Sequence, residues 1–160
     1  MPGARQITRC SLPFPVAMLL VASFLIALAP DARAQAGGCT ISTTPVAFGT
    51  YDTTSPSPLD STGTIIWSCA VAGPIRIELS AGAAGTFAPR HLTQGQSTAA
   101  YNLYLDPART IIWGDGTVGT QAYTGSGTGP TTVTVYGRVS ALQTIAAGTY
   151  ADSIVLTIVF

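Results

Sequence analysis

The chain has no lysine, and charged residues make up only 9% of its 160 positions. From residue 35 onward the cations are Arg76, Arg90, Arg109 and Arg138, against Asp52, Asp60, Glu78, Asp106, Asp115 and Asp152. Nucleic-acid binding needs clustered cations to displace phosphate counterions, and no cluster occurs here. The same stretch holds one glutamate and no methionine. Those residues, with lysine, normally build solvated helix faces, so a helical architecture is disfavoured.

Histidine is equally scarce. His91 stands alone between Arg90 and Leu92, in a stretch that reads as loop. A serine nucleophile needs a histidine base and an orienting carboxylate, and no Gly-x-Ser-x-Gly elbow is present. Six scattered acids form no motif for glycoside hydrolysis. Asp60, Asp106 and Asp115 fall near strand ends or turns, where aspartate bonds local backbone. Gly114-Asp-Gly116 lacks the lysine and helix of a phosphate loop, and a calcium loop needs more oxygen ligands. Two thiols and one histidine do not make a tetrahedral metal site. The expectation is a protein that is not an enzyme, with no cofactor and no metal.

Long apolar runs are missing except near the start. Arg5 and Arg9 precede a stretch, Leu12 to Ala29, broken only by Pro13, Pro15 and Ser23, and Ala32-Arg33-Ala34 follows. This is the order of a secretory signal peptide. Its proline-free part, Val16 to Ala29, is short of the ~20 residues that span a bilayer, so no stable membrane span is expected. Residues 1–34 are read as a leader, with a cut after Ala36 as the close alternative, and residues 35–160 as one domain. Cys10 leaves with the leader. Cys39 and Cys69 remain as an even pair in an exported protein, for which a disulfide is expected. Closing the loop between them stabilises the fold by roughly 3–4 kcal/mol in the chain-entropy model.

What is abundant is threonine, valine and isoleucine, which suit pleated sheets, interrupted by Gly and Pro at short intervals. Period-2 alternation sets Ile65, Trp67 and Cys69 on one face of 64–70, and Ile75, Ile77 and Leu79 on one face of 74–80. Tyr101, Leu103 and Leu105 share a face in 99–106, as do Val133 and Val135 in 131–139. Ile154, Leu156, Ile158 and Phe160 do so in 153–160. Shorter extended pieces are expected at 44–49 and 109–113. Asp115-Gly116 reads as a hairpin turn, and Gly125 to Pro130 as a mobile loop. One-face alternation points to an antiparallel sandwich. Trp67 is expected in the core; Trp113, before a tight turn, is a candidate sugar-stacking residue at the surface.

Several strings together resemble the spore coat protein U family: Cys39-Thr-Ile-Ser, Val46-Ala-Phe-Gly-Thr-Tyr-Asp52, Gly63-Thr-Ile-Ile-Trp-Ser-Cys69, Tyr101-Asn-Leu-Tyr-Leu-Asp106, Arg109-Thr, Trp113-Gly-Asp-Gly116, Val135-Tyr-Gly-Arg138 and Gly148-Thr-Tyr-Ala-Asp152. They occur in family order across about residues 39–160. The resemblance implies an antiparallel immunoglobulin-like β-sandwich that lacks its final strand, and a Cys39–Cys69 bond. It implies a subunit of an archaic chaperone–usher pilus, a fimbrium serving adhesion and biofilm. Its partners would be a periplasmic chaperone, an outer-membrane usher and a neighbouring pilin subunit, and its route the periplasm and then the cell surface. A partner strand would fill the gap by donor-strand complementation, a form of β-augmentation, against Ile154, Leu156, Ile158 and Phe160. Val155 and Val159 make the last strand apolar on both faces, and the sequence ends at Phe160 without a polar tail. Such an edge is an aggregation hazard unless paired.

One departure bears on fibre position. Polymerising members carry about a dozen alternating apolar residues before the first cysteine, whereas Gln35-Ala-Gly-Gly38 alone follows a cut at Ala34. At ~3.3 Å per residue this cannot span a groove. The expectation is therefore a subunit that accepts a strand and donates none, at a fibre end. A non-polymerising secreted coat or matrix protein, and a carbohydrate-binding sandwich module acting through Trp113, are the alternatives.

Overall fold

The computed structural model describes the backbone of residues 34–36 and the whole of residues 38–160. The region read as a leader, up to residue 33, lies outside the described residues. Nine strands and no helix occur among those described. They are β1 (Ala34–Ala36), β2 (Cys39–Thr44), β3 (Leu59–Cys69), β4 (Gly73–Leu79) and β5 (Arg90–Gln94), followed by β6 (Ser97–Tyr104), β7 (Tyr123–Gly127), β8 (Thr131–Val139) and β9 (Leu156–Val159). Every strand pair is antiparallel. One sheet runs β1-β2-β3-β8-β6-β5 and the other β7-β4-β9. The architecture is the antiparallel sandwich that alternation suggested, of the immunoglobulin-like kind that the family resemblance implied.

The inward faces are those the period-2 pattern assigns. Ile65, Trp67 and Cys69 of β3, Ile75, Ile77 and Leu79 of β4, and Val133, Val135 and Val139 of β8 are all buried. Tyr101 and Leu103 of β6 and Ile158 of β9 join them in one core. Burying each large aliphatic or aromatic side chain is worth about 1.5–3 kcal/mol relative to exposure. Gly137 keeps the inner face of β8 open at one end: a Cβ there would lie 2.6 Å from Val46 Cγ1 and 2.7 Å from Phe48 Cζ. The irregular segment after β2 uses that space, and Phe48 meets Tyr101 edge-on at 6.0 Å. So 45–49 packs onto the core without becoming the expected strand.

Cys39 and Cys69 face each other across the β2–β3 pair and are bonded. The bridge joins neighbouring strands of one sheet at the end of the sandwich where β4 begins.

Other local expectations change. Residues 90–94, read as loop, form β5, because an edge strand needs no apolar alternation when its partner β6 supplies the hydrogen bonds. Residues 123–127, expected in part to be a mobile loop, form β7 against β4. The 109–113 segment contributes only bridges, Tyr104↔Ile112 and Trp113↔Gln121. Asp115-Gly116 is no hairpin tip. The Asp115 carboxylate accepts the Thr117 amide and hydroxyl at 2.9 and 2.6 Å, within the connection 105–122 that crosses from β6 of the larger sheet to β7 of the smaller.

Arg90 escaped the alternation reading altogether. It points inward from β5, opposite Tyr101, and is wholly buried. Its Nε and Nη2 donate to Ser80 O at 3.0 and 2.8 Å. Nη2 also donates to Trp113 O at 2.7 Å, and Nη1 to Asn102 Oδ1 at 2.7 Å. The guanidinium lies 5.1 Å from the centre of the Phe87 ring. Burial lowers its pKa from the ordinary arginine value, yet its four hydrogen bonds run to three acceptor oxygens placed to suit the planar donor fork of a guanidinium.

Two predictions follow from this packing. Arg90→Met should lower stability by about 2–4 kcal/mol, since three buried oxygens lose their donors; denaturant midpoints on wild type and variant measure it, and an unchanged midpoint would remove Arg90 from the framework. Alkylation with intact-mass detection should find no free thiol at Cys39 or Cys69 in unreduced, folded protein.

Candidate functional site

The site worth building is the free edge of the smaller sheet. Among the described residues β9 pairs with β4 alone, in the register Leu79↔Leu156, Glu78↔Thr157, Ile77↔Ile158 and Arg76↔Val159. Its entry is pinned from both sheets. Ser80 N donates to Val155 O and Val155 N to Ser80 Oγ, each at 2.9 Å. Ahead of it, the Asp152 carboxylate accepts the Tyr101 hydroxyl at 2.7 Å and the Ala83 amide at 2.9 Å. Burial, with Asp152 as acceptor, raises the Tyr101 pKa far above its usual range, so the phenol remains a donor. Gly82, at φ +75°, must be glycine here, because a Cβ would collide with the same carboxylate.

The four residues singled out for strand capture fall into a graded row. Ile158 is buried, Ile154 and Leu156 are half-buried against the core, and Phe160 is 50% exposed. Val159, on the opposite face of β9, is 37% exposed. Beyond Phe160 lies an apolar cleft of about 200 Å³, walled by the Cys39–Cys69 bridge, Val71, Pro74 and Ile75. Sequence reasoning found the strand and its apolar face. It missed Val71, 79% exposed in the β3–β4 turn, because a lone valine in a turn carries no periodic signal. On the larger sheet, β1 lies along the outer edge of β2.

The other candidate residues do not assemble into chemistry. His91 sits in β5 opposite Ala100, half-buried, and its side chain takes part in no hydrogen bond among the described residues. No group of three or more His, Cys, Asp or Glu side chains converges among those residues. Trp113 corrects the expectation of an exposed stacking platform: it is completely buried, and its Nε1 donates to Ile77 O at 3.0 Å. Trp67 is buried as expected, and its Nε1 has no hydrogen-bond partner among the described residues. Asp106 and Asp115 do bond nearby backbone. Asp60 instead pairs with Arg138 and Arg109.

Comparison with known proteins agrees with this architecture. Residues 23–157 match the Spore Coat Protein U domain family, a match that starts inside the stretch read as a leader. Protein U of Myxococcus xanthus is 34% identical over 138 residues, covering 78% of this chain and 74% of that protein. A solved chain with the same fold comes from the CsuC–CsuE chaperone–tip adhesion subunit pre-assembly complex of archaic chaperone-usher Csu pili of Acinetobacter baumannii. It superposes with a TM-score of 0.56 at 18% identity, covering 76% of this chain and 39% of that one. The chain thus spans about two fifths of the length of that solved chain. The family match over most of the sequence, on a two-sheet antiparallel sandwich with a Cys39–Cys69 bridge, establishes that this chain belongs to the Spore Coat Protein U domain family.

Proposed function

We propose that this protein is an exported, non-catalytic subunit of a surface pilus assembled by a chaperone–usher system, and that it accepts a partner strand along β9. The observation that carries the reading is the edge itself. Among the described residues β9 has a neighbour on one side only, sets Leu156 and Ile158 on its inner face and Val159 half-exposed on the other, and leads into an apolar cleft beside Phe160. An incoming alternating strand would hydrogen-bond to the β9 backbone and set its apolar side chains over Ile154, Leu156, Ile158 and Phe160. A periplasmic chaperone supplies that strand first, and a neighbouring subunit replaces it at the outer-membrane usher. The relative crystallised as a chaperone–tip adhesion subunit pre-assembly complex supports this reading.

The finer reading places the subunit at a fibre end, serving adhesion. It rests on a leader cut at Ala34, which leaves four residues before Cys39, too few at ~3.3 Å each to bridge a groove. Intact mass of the exported protein locates the cut; a mature chain starting well upstream of Ala34 would restore a donor segment and end this reading. A coat protein that does not polymerise is the second reading, favoured by the match to the Spore Coat Protein U domain family.

Without a chaperone, residues 35–160 should aggregate or be degraded. An alternating apolar strand fused after Phe160 through a flexible linker should rescue a soluble monomer. Filling the groove buries several side chains worth about 1.5–3 kcal/mol each, comparable to the whole stability of a small domain. Gel filtration and a thermal melt read the outcome. A soluble, cooperatively melting monomer with no added strand would sink strand acceptance. A second prediction concerns the wall: Leu156→Asp with Ile158→Asp should abolish both chaperone capture, read by co-purification, and rescue by the fused strand.

A further inference from the structure

Three of the strings that carry the family resemblance meet at a place the β9 edge does not use. Tyr104 ends β6, Arg109 follows it, and Tyr136 and Arg138 lie on β8. The register pairs Tyr104 directly with Tyr136, and Asn102 with Arg138. On the other side of β8, Asp60 of β3 stands opposite Arg138 and Thr62 opposite Tyr136. Val135, Gly137 and Val139 of β8 face the core, so Tyr136 and Arg138 belong to the outer face of the larger sheet.

The cluster is built rather than incidental. Arg138 grips Asp60 with two bonds, Nε to Oδ1 at 2.7 Å and Nη2 to Oδ2 at 2.8 Å. Arg109 Nη1 lies 3.2 Å from Asp60 Oδ2, its Nε donates to Gly137 O at 3.2 Å, and its guanidinium stands 5.8 Å from the centre of the Tyr136 ring. To reach there Arg109 holds φ at +59°, a left-handed conformation that costs a non-glycine residue free energy and persists only where its surroundings enforce it. Asp106 enforces it: its carboxylate accepts the Thr110 and Ile111 amides at 2.9 and 2.8 Å, and its carbonyl accepts the Arg109 amide at 3.0 Å.

Two guanidiniums therefore share one carboxylate. Arg138, first, and then Arg109 hold the Asp60 pKa below the ordinary carboxylate value, so the cluster keeps one excess positive charge. Arg138 Nη1 and Arg109 Nη2 donate no hydrogen bond among the described residues. The other arginines among the described residues are engaged elsewhere: Arg76 with Glu78, and Arg90 in the core. Next to the excess charge stand an opposed tyrosine pair and the outward hydroxyls of Thr62 and Thr134.

We propose that this face binds a uronate-bearing polysaccharide. One uronate carboxylate takes the free guanidinium donors of Arg138 and Arg109, a charge-assisted contact. The neighbouring pyranose ring lies against Tyr104 and Tyr136, and the threonine hydroxyls meet the sugar hydroxyls. The excess charge selects an acidic saccharide over a neutral one, and the aromatic pair selects a saccharide over a plain polyanion.

The test uses exported protein, isolated with whatever strand fills its groove, titrated calorimetrically with oligogalacturonate. Binding should weaken as salt rises. Arg138→Gln should weaken it about tenfold or more, as expected for a lost hydrogen bond to a charged group. Arg76→Gln, on the other sheet, should bind as wild type. Neutral dextran oligomers and polyglutamate of matched length should each bind at least about tenfold more weakly than oligogalacturonate. Should Arg138→Gln unfold, Tyr104→Ala replaces it, with the same loss expected. The proposal is overturned by no binding of oligogalacturonate, by equal binding of dextran or polyglutamate, or by full binding in a folded Arg138→Gln variant. Strand capture at β9 is read separately and does not enter this result.

Discussion

A guanidinium stripped of water lies between the two sheets, and the rest of the sandwich is arranged around its needs. Arg90 comes from an edge strand of the larger sheet, yet Ser80 O, which takes two of its bonds, follows β4 of the smaller one. A third partner, Trp113 O, lies on the segment that crosses between sheets. A buried cation is costly unless fully hydrogen-bonded, so these backbone positions are coupled: moving one sheet against the other would leave the charge unmatched. The same Ser80 holds Val155 through its amide and hydroxyl. The polar network thus reaches from β5 to the entry of β9.

That network explains how a strand can be held in place with only one neighbour. The larger sheet has six strands and the smaller three, so the core is closed unevenly. β9 is registered by β4, by Ser80 and by the Asp152–Tyr101 bond ahead of it, and leaves its far side open. Rigid placement of an unpaired edge is what strand addition requires, because the backbone groups of the acceptor must already be aligned.

Much of this fold was legible in the sequence, for a definable reason. β3, β4 and β8 alternate with period 2 because one face meets the core and the other meets water, and burial followed that alternation. The apolar face of β9 was legible in the same way. β5 and β7 were not: Arg-His-Leu-Thr-Gln and Tyr-Thr-Gly-Ser-Gly are held by backbone pairing at sheet edges, where side-chain pattern carries little information. Trp113 was misjudged because a residue beside a turn is expected near the surface, whereas the crossing segment folds its indole back under β4. Arg90, Asp60 and Arg109 were visible only as charges. Their partners come from positions such as Ser80, Gly137 and Arg138, and no local signal joins them.

The central pairing of the larger sheet has a consequence for the order in which the molecule comes into being. β3 lies beside β8, and the Asp60–Arg138 contact across that seam links residues 78 apart. A chain delivered from its N-terminus therefore presents β2 and β3, with both cysteines, long before β8 has appeared. During that interval the middle of the future sheet is itself an open margin. Closure of such distant pairs is slow because the intervening loop must lose its freedom first. The period in which the young chain is most prone to wrong partners ends only with the arrival of residues 131–139.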